Sequence, residues 1–213
     1  MNAESNTSVK LAEYLLEIKA VKLSPNNPFK WSSGWNSPIY CDNRVTLSYP
    51  EIRNFIKLAL ANLVTSEFPN ANALCGVATA GVAIGGLVAD ELDMPYAYCR
   101  PKPKEHGMKN QLEGRIDKEK KIVLVEDLIS TGGSSLKVVD YLRNEGYQIE
   151  GIVSIFTYGF DAAQQNFDNA NCKNISLGSY QDMLPLAIEK GYIEQGQLST
   201  LEAWRKEPET WNV

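Results

Sequence analysis

The chain has 213 residues, 44% of them apolar and 22% charged, values ordinary for one globular domain, or one domain with a modest appendage. They exclude a chain that is mainly disordered, collagen-like or coiled coil. Lys plus Arg total 21 against 26 Asp plus Glu, a net charge of −5, which speaks against a surface devoted to nucleic acid but leaves room for a local basic patch. No stretch approaches the roughly 18 to 20 consecutive apolar residues of a membrane helix. The opening, MNAESNTSVK, has neither the basic start nor the apolar core of a secretion signal. The expectation is a soluble, cytoplasmic protein with no membrane partner.

Cys41, Cys75, Cys99 and Cys172 are far apart and form no CxxC pair, and the chain holds one histidine. A Cys/His zinc site is therefore poorly supported. Four buried free thiols, acting as small hydrophobes, are expected instead.

Along the chain, Leu11, Leu15 and Ile18 share one helical face, with Ala12 and Leu16 beside them. This first helix stops before Ser24-Pro25-Asn26-Asn27-Pro28, a loop signal. Residues 29–44, FKWSSGWNSPIYCDNR, read as an extended, turn-rich stretch that an irregular hairpin would also explain. Ser48, with Glu51 three residues on, proposes a capping box for a helix running to about Phe68. Residues 73–77 predict a buried strand, 81–92 a helix rich in small residues, and 96–99 a short strand. KIVLV at 121–125 is the clearest buried strand; a helix at about 133–144 follows, then strands at 149–158 and 175–177. From about Tyr180, two short helical patterns end in Trp204 and Trp211. Strands alternating with helices imply a mostly parallel sheet flanked by helices. Residues 101–120 break the rhythm, with only Met108, Leu112 and Ile116 as large apolar groups. A loop of that length in a compact α/β domain is usually a functional lid or a disordered linker.

The strongest chemical signal is Val123-Leu124-Val125-Glu126-Asp127-Leu128-Ile129-Ser130-Thr131-Gly132-Gly133-Ser134-Ser135. A buried strand delivers adjacent carboxylates to its C-terminal end, a loop of hydroxyls and glycines follows, and a helix begins. Free backbone N–H groups, glycines that permit close approach and Ser/Thr donors suit a phosphate. No GxxxxGK[ST] occurs, so it is not a Walker A loop. Carboxylates repel a phosphate, but Glu126 and Asp127 make sense as acceptors for a vicinal diol such as the 2- and 3-hydroxyls of a ribose. The plainer alternative is a βα turn whose Ser and Thr merely cap the helix.

This segment resembles the phosphoribosyl-diphosphate (PRPP) signature of the type I phosphoribosyltransferases. Within that family, the rest of the chain resembles the orotate phosphoribosyltransferases over nearly its full length. The resemblance rests on Phe29-Lys30-Trp31-Ser32-Ser33-Gly34, Ser37-Pro38-Ile39-Tyr40-Cys41-Asp42-Asn43-Arg44, Gly76-Val77-Ala78-Thr79-Ala80-Gly81 and Arg100-Pro101-Lys102-Pro103-Lys104-Glu105-His106-Gly107. It implies a type I phosphoribosyltransferase fold: a central, mostly parallel sheet flanked by helices. A small hood, about 8–44 with part of the C-terminal region, would cover a core of about 48–178. It also implies PRPP and orotate as substrates, magnesium carried mainly by PRPP without a metal cage in the protein, and a homodimer whose lid covers the neighbour's site.

Onto matching positions, the resemblance carries Lys30, Thr79, Ala80, Arg100, Lys102, Lys104, His106 and the 126–134 run to PRPP. That run is Glu126, Asp127, Leu128, Ile129, Ser130, Thr131, Gly132, Gly133 and Ser134. Tyr40, Cys41, Ser130 and Tyr158 go to orotate. Lys104, His106, Asp127 and Arg100 are the candidate catalytic residues. The basic loop also has a reason in the chemistry. Breaking the C1–O bond leaves negative charge on diphosphate, which cations closing over it stabilise, and a lid keeps water from the reactive sugar. A solvated charged loop, and small-residue packing at 76–81, are the plainer alternatives. The chain departs from the family at three places. Arg100-Pro101 stands where many members have two basic residues, Ser32 where a Lys often precedes SG, and Tyr158 where some members place an Arg on the orotate carboxylate. Lys102 and Lys30 are the substitutes for the first two. Two other functions share the PRPP signature: purine-base phosphoribosyl transfer, and PRPP-sensing regulation through nucleic acid, which the net charge disfavours.

Overall fold

A computed structural model describes residues 3–102 and 110–211. In chain order its elements are α1 (Ala3–Glu17), β1 (Val21–Leu23), β2 (Phe29–Lys30), β3 (Asn36–Ser37), β4 (Ile39–Cys41), α2 (Pro50–Glu67), β5 (Ala73–Val77), α3 (Gly81–Glu91), β6 (Tyr96–Cys99), β7 (Leu112–Glu113), β8 (Lys121–Ile129), α4 (Gly133–Asn144), β9 (Gln148–Thr157), α5 (Asp161–Asn169), β10 (Lys173–Ser179), α6 (Tyr180–Glu189) and α7 (Leu198–Lys206). A 3-10 turn, Asn43–Ser48, precedes α2.

The central sheet has the order β10-β9-β8-β5-β6-β7. Its first five strands are parallel and β7 runs antiparallel to β6. All five residues of β5 are buried, as are Ile122 to Glu126 in β8. Such unbroken apolar runs belong to parallel strands covered on both faces. From β5 the chain moves through α3 to β6; from β8 it moves the other way, through α4 to β9 and β10. The order reverses between β5 and β8, so the loops leaving their C-terminal ends diverge and open a crevice. Two antiparallel ribbons, β1–β4 and β2–β3, stand outside this sheet. At its β10 edge, α1 packs against α6 and β10. No helix of the described residues is long and apolar enough to cross a membrane.

Several boundaries differ from those expected, each for a physical reason. The Ser48–Glu51 capping box does not form: Pro50, which needs no N–H partner, starts α2, and Glu51 accepts from the Tyr14 hydroxyl instead. Strand β8 runs four residues past 125, because its ladder to β9 continues through Ile129 despite the two acids. β10 likewise extends to 173–179 along β9. α5 has no counterpart among the expected helices; Asp161–Asn169 is polar, and only Ala163 and Phe167 are buried. The 101–120 segment contains β7, held by Arg100 N–H to the Gln111 carbonyl. Trp211 lies beyond α7, which ends at Lys206. Cys75, Cys99 and Cys172 are buried free thiols, whereas Cys41 is only partly covered.

Candidate active site

Strand β8 ends in the two carboxylates, and neighbouring residues on a strand point to opposite faces. Glu126 turns inward and is buried, with both oxygens engaged. The Asp127 N–H donates to Oε1 at 3.0 Å, and the Ser135 hydroxyl to Oε2 at 2.9 Å. Burial pushes the Glu126 carboxyl well above its usual range, and the Asp127 charge adds to this. Asp127 is half-buried, and burial raises its carboxyl too, with Arg44 pulling the other way. Its charge reaches Cys41, Arg44 and Tyr158, so it faces the ribbons while Glu126 faces α4.

Gly132 occupies the N-cap position of α4 in the left-handed region, φ +78°. A Cβ there would also meet the Phe167 ring at 2.6 Å, so both backbone and space call for glycine. No side chain caps α4, and the hydroxyls of Ser130, Thr131 and Ser134 make no hydrogen bond among the described residues. The plain capping turn is therefore not what these residues build. Their hydroxyls and the first amides of a 12-residue helix remain available to an anion. Gly133 and Ser134 are exposed, while the Ile129 side chain is in the core and its carbonyl accepts the Tyr158 N–H at 3.0 Å.

Beside this cradle lies a cavity of about 560 Å³. Seven of the sequence-predicted residues line it: Lys30, Tyr40, Cys41, Leu128, Ser130, Thr131 and Tyr158. Trp31, Ser32, Ser33 and Trp35 complete the wall; the first three stand in the 29–34 motif, but none is assigned a substrate.

The Tyr158 ring is 3% exposed, stacked on Trp31 at 5.0 Å and edge-on to Trp204 at 5.7 Å. Burial, with the nearby Cys41 and Asp127, holds its phenol far above the ordinary value, so the group stays neutral. Its hydroxyl has no protein hydrogen bond among the described residues and is offered to the cavity. Trp204 is fully buried and donates from Nε1 to the Asn36 carbonyl, tying α7 to the β2–β3 ribbon. Burial also pushes the Cys41 thiol well up, which rules it out as a thiolate nucleophile at neutral pH.

Thr79 and Ala80 lie at the C-terminal end of β5, adjacent in the sheet to the cradle but outside the cavity wall. Gly76 and Gly81 are there for packing: a Cβ at either would strike Tyr96 or the β8 backbone at Val125. Arg100 leaves β6 with its guanidinium 5.9 Å from the Tyr98 ring and 3.7 Å from Glu113. Lys102 is exposed, and neither residue lines the cavity. Lys104 and His106 lie outside the described residues.

A parallel sheet whose switch point carries an uncapped, hydroxyl-rich βα cradle belongs to the α/β proteins that handle nucleotides and sugar phosphates. Residues 50–181 match the family model described as the phosphoribosyl transferase domain. The chain is 52% identical to an orotate phosphoribosyltransferase of Cytophaga hutchinsonii over 206 residues, covering 97% of this chain and 99% of the relative. It is 49% identical to that of Porphyromonas gingivalis, covering 95% and 97%. Among solved structures, the orotate phosphoribosyltransferase of Aeropyrum pernix superposes with a TM-score of 0.75 at 27% identity, covering 86% of this chain and 99% of that one. The chain therefore belongs to the phosphoribosyltransferase family, in its orotate phosphoribosyltransferase branch.

Proposed function

We propose that this protein transfers the 5-phosphoribosyl group of PRPP to orotate, giving orotidine 5′-monophosphate and diphosphate for pyrimidine nucleotide synthesis. The observation that carries this reading is the cavity beside the cradle. It is walled by aromatic rings that suit a flat base, and its polar groups include the Lys30 ammonium and the neutral Tyr158 hydroxyl, which suit a carboxylate. The identity to named relatives over nearly the whole chain supports it.

In this reading the 5-phosphate rests on Ser130 to Ser134, and the ribose hydroxyls donate to Asp127. Glu126 holds the strand end beneath them. A ring nitrogen of orotate bonds to C1 as the C1–O bond to diphosphate breaks with inversion, and diphosphate leaves with the electron pair. The orotate N–H proton passes to the departing diphosphate or to water as the new bond forms. Positive charge gathers on the sugar, where Asp127 stabilises it. Arg100, Lys102, Lys104 and His106 neutralise the departing diphosphate, with Thr79 and Ala80 lending backbone donors. Ser130, Tyr40 and Cys41 flank the base. No protein nucleophile is required.

Magnesium fits the oxygen-rich donor set. In this reading PRPP would carry the ion and supply most of its ligands. When bound, it would supply charge neutralisation at the diphosphate. We further infer a hood of about 8–44 with part of the C-terminal region over a core of about 48–178, a homodimer with lids shared across its two-fold axis, and a cytoplasmic setting.

A panel of bases incubated with PRPP and magnesium tests the reading. Diphosphate release with orotate and none with adenine, guanine or hypoxanthine is the expected result. Release only with a purine would replace orotate as the acceptor. Nucleic-acid binding in a gel shift, with no diphosphate released, would replace the enzyme reading altogether.

A further inference from the structure

Asn43 lies within the SPIYCDNR motif, but neither the resemblance nor the base and sugar contacts assign it a task. It is 1% exposed, one of few fully buried polar side chains. Its Nδ2 donates to the main-chain carbonyl of Asp127 at 2.7 Å, and its Oδ1 accepts from the Cys41 thiol at 3.4 Å. The chemistry of the two neighbours fixes the orientation of the amide. A carbonyl can only accept, and a neutral thiol with a raised pKa keeps its proton to donate.

The place of this link in the fold gives it meaning. β5 pairs with β8 only as far as Gly76↔Val125, so beyond that register β8 has no strand partner on that side. At Asp127 a side chain from the 3-10 turn after β4 takes over the role of a ladder hydrogen bond. Cys41 lines the cavity and Asp127 lies near the end of the strand that carries the cradle. One carboxamide thus spans from the wall beside the base to the backbone of the diol acceptor. Thr46 in turn donates to the Asn43 main-chain carbonyl at 2.6 Å, which pins the turn without touching the link.

We propose that Asn43 is a positioning residue for the transfer, setting the separation between the base-holding wall and the sugar-holding strand end. The proposal rests on the reading of the site given above. In that reading Tyr40 and Cys41 hold the base from the β4 side, Asp127 holds the sugar from the end of β8, Ser130 touches both, and the new bond forms between them. A bridge that fixes the two sides acts on how often the ring nitrogen faces C1 within reach. It acts little on how well either substrate binds alone. A misplacement of about 1 Å at such a contact costs up to about 10²-fold in rate.

The test compares Asn43→Ala and the isosteric Asn43→Asp with Thr46→Val, all assayed well below their melting temperatures. Asn43→Asp keeps the volume and the acceptor for Cys41 and, once ionised, loses the donor to Asp127, while the uncharged Asn43→Ala separates that loss from the effect of the added charge. The expected result is a kcat lowered about 10- to 10²-fold in both Asn43 variants, with each KM within about threefold of wild type. Thr46→Val should lower the melting temperature and leave kcat unchanged. Wild-type kcat in folded Asn43→Asp, or an equal kcat loss in Thr46→Val, would overturn the proposal. A wild-type chain that does not consume orotate would defeat the functional reading, and this inference with it.

Discussion

The Ser135 hydroxyl, on the first turn of α4, donates to Glu126 Oε2 at 2.9 Å and so ties the cradle helix to the strand beneath it. That hydrogen bond holds a carboxylate that burial opposes: the Glu126 carboxyl is pushed well above its usual range, chiefly by loss of water. A carboxyl with a folded-state pKa above its unfolded value contributes stability at low pH. The contribution is lost as pH rises through the folded value. Glu126→Gln keeps the shape and removes the charge. It should therefore raise the melting temperature at pH values above the raised pKa, by about 2–4 °C for each kcal/mol gained. The gain should shrink as pH falls through the raised pKa, where wild-type Glu126 is itself protonated. Melting curves over a broad pH series decide this; a gain that grows toward low pH would contradict the assignment.

Asp127→Asn preserves the hydrogen-bonding outline while removing the charge that faces the sugar. Turnover should fall by about 10²-fold or more, at least roughly 3 kcal/mol of transition-state stabilisation. Wild-type turnover with normal PRPP affinity would remove Asp127 from the ribose.

Tyr158→Phe leaves the stack with Trp31 and Trp204 in place and deletes only the hydroxyl offered to the cavity. The orotate KM should rise, while the PRPP KM stays nearly unchanged. Steady-state kinetics with each substrate varied in turn separates the two. An unchanged orotate KM would leave the carboxylate to Lys30 and to backbone donors near Tyr40.

If the lid acts across a homodimer, two inactive variants should complement each other. Lys104→Ala damages the lid and Asp127→Ala the cradle. After subunit exchange a mixed dimer gathers both defects into one site and leaves the other whole. Half the dimers are mixed, so about a quarter of all sites should recover activity. No recovery, with exchange verified by mass spectrometry, would place each lid over its own subunit.

Much of the fold is legible in the amino-acid sequence. Strands β5 and β6 and helix α4 have the bounds that the residue pattern predicts, because each couples a clear apolar period to a strong stop. Legibility fades with polarity. Glu126 and Asp127 read as the end of the strand, yet β8 runs on to Ile129 because β9 pairs with it on one side. α5 carries too few apolar residues to show a helical period. The ribbons β1–β4 and β2–β3, two or three residues per strand, are too short for alternation to register. In the site, Lys30, Tyr40, Cys41, Ser130 and Tyr158 are identified by motif, and they meet in one cavity. Trp31, inside the 29–34 motif, and Trp35, just after it, carry no assigned role because they stand between the positions that do. Asn43 has meaning only once the fold brings residue 43 against residue 127.

The most direct measurement of the central claim is a crystal structure of the protein with orotidine 5′-monophosphate bound. The account predicts the pyrimidine ring in the cavity between Tyr40, Cys41 and Tyr158, with its carboxylate toward Lys30 or the Tyr158 hydroxyl. It predicts ribose hydroxyls within hydrogen-bond distance of Asp127, and the phosphate on the amides and hydroxyls of Ser130 to Ser134. A nucleotide bound with its phosphate away from that loop, or its base outside that cavity, would contradict it.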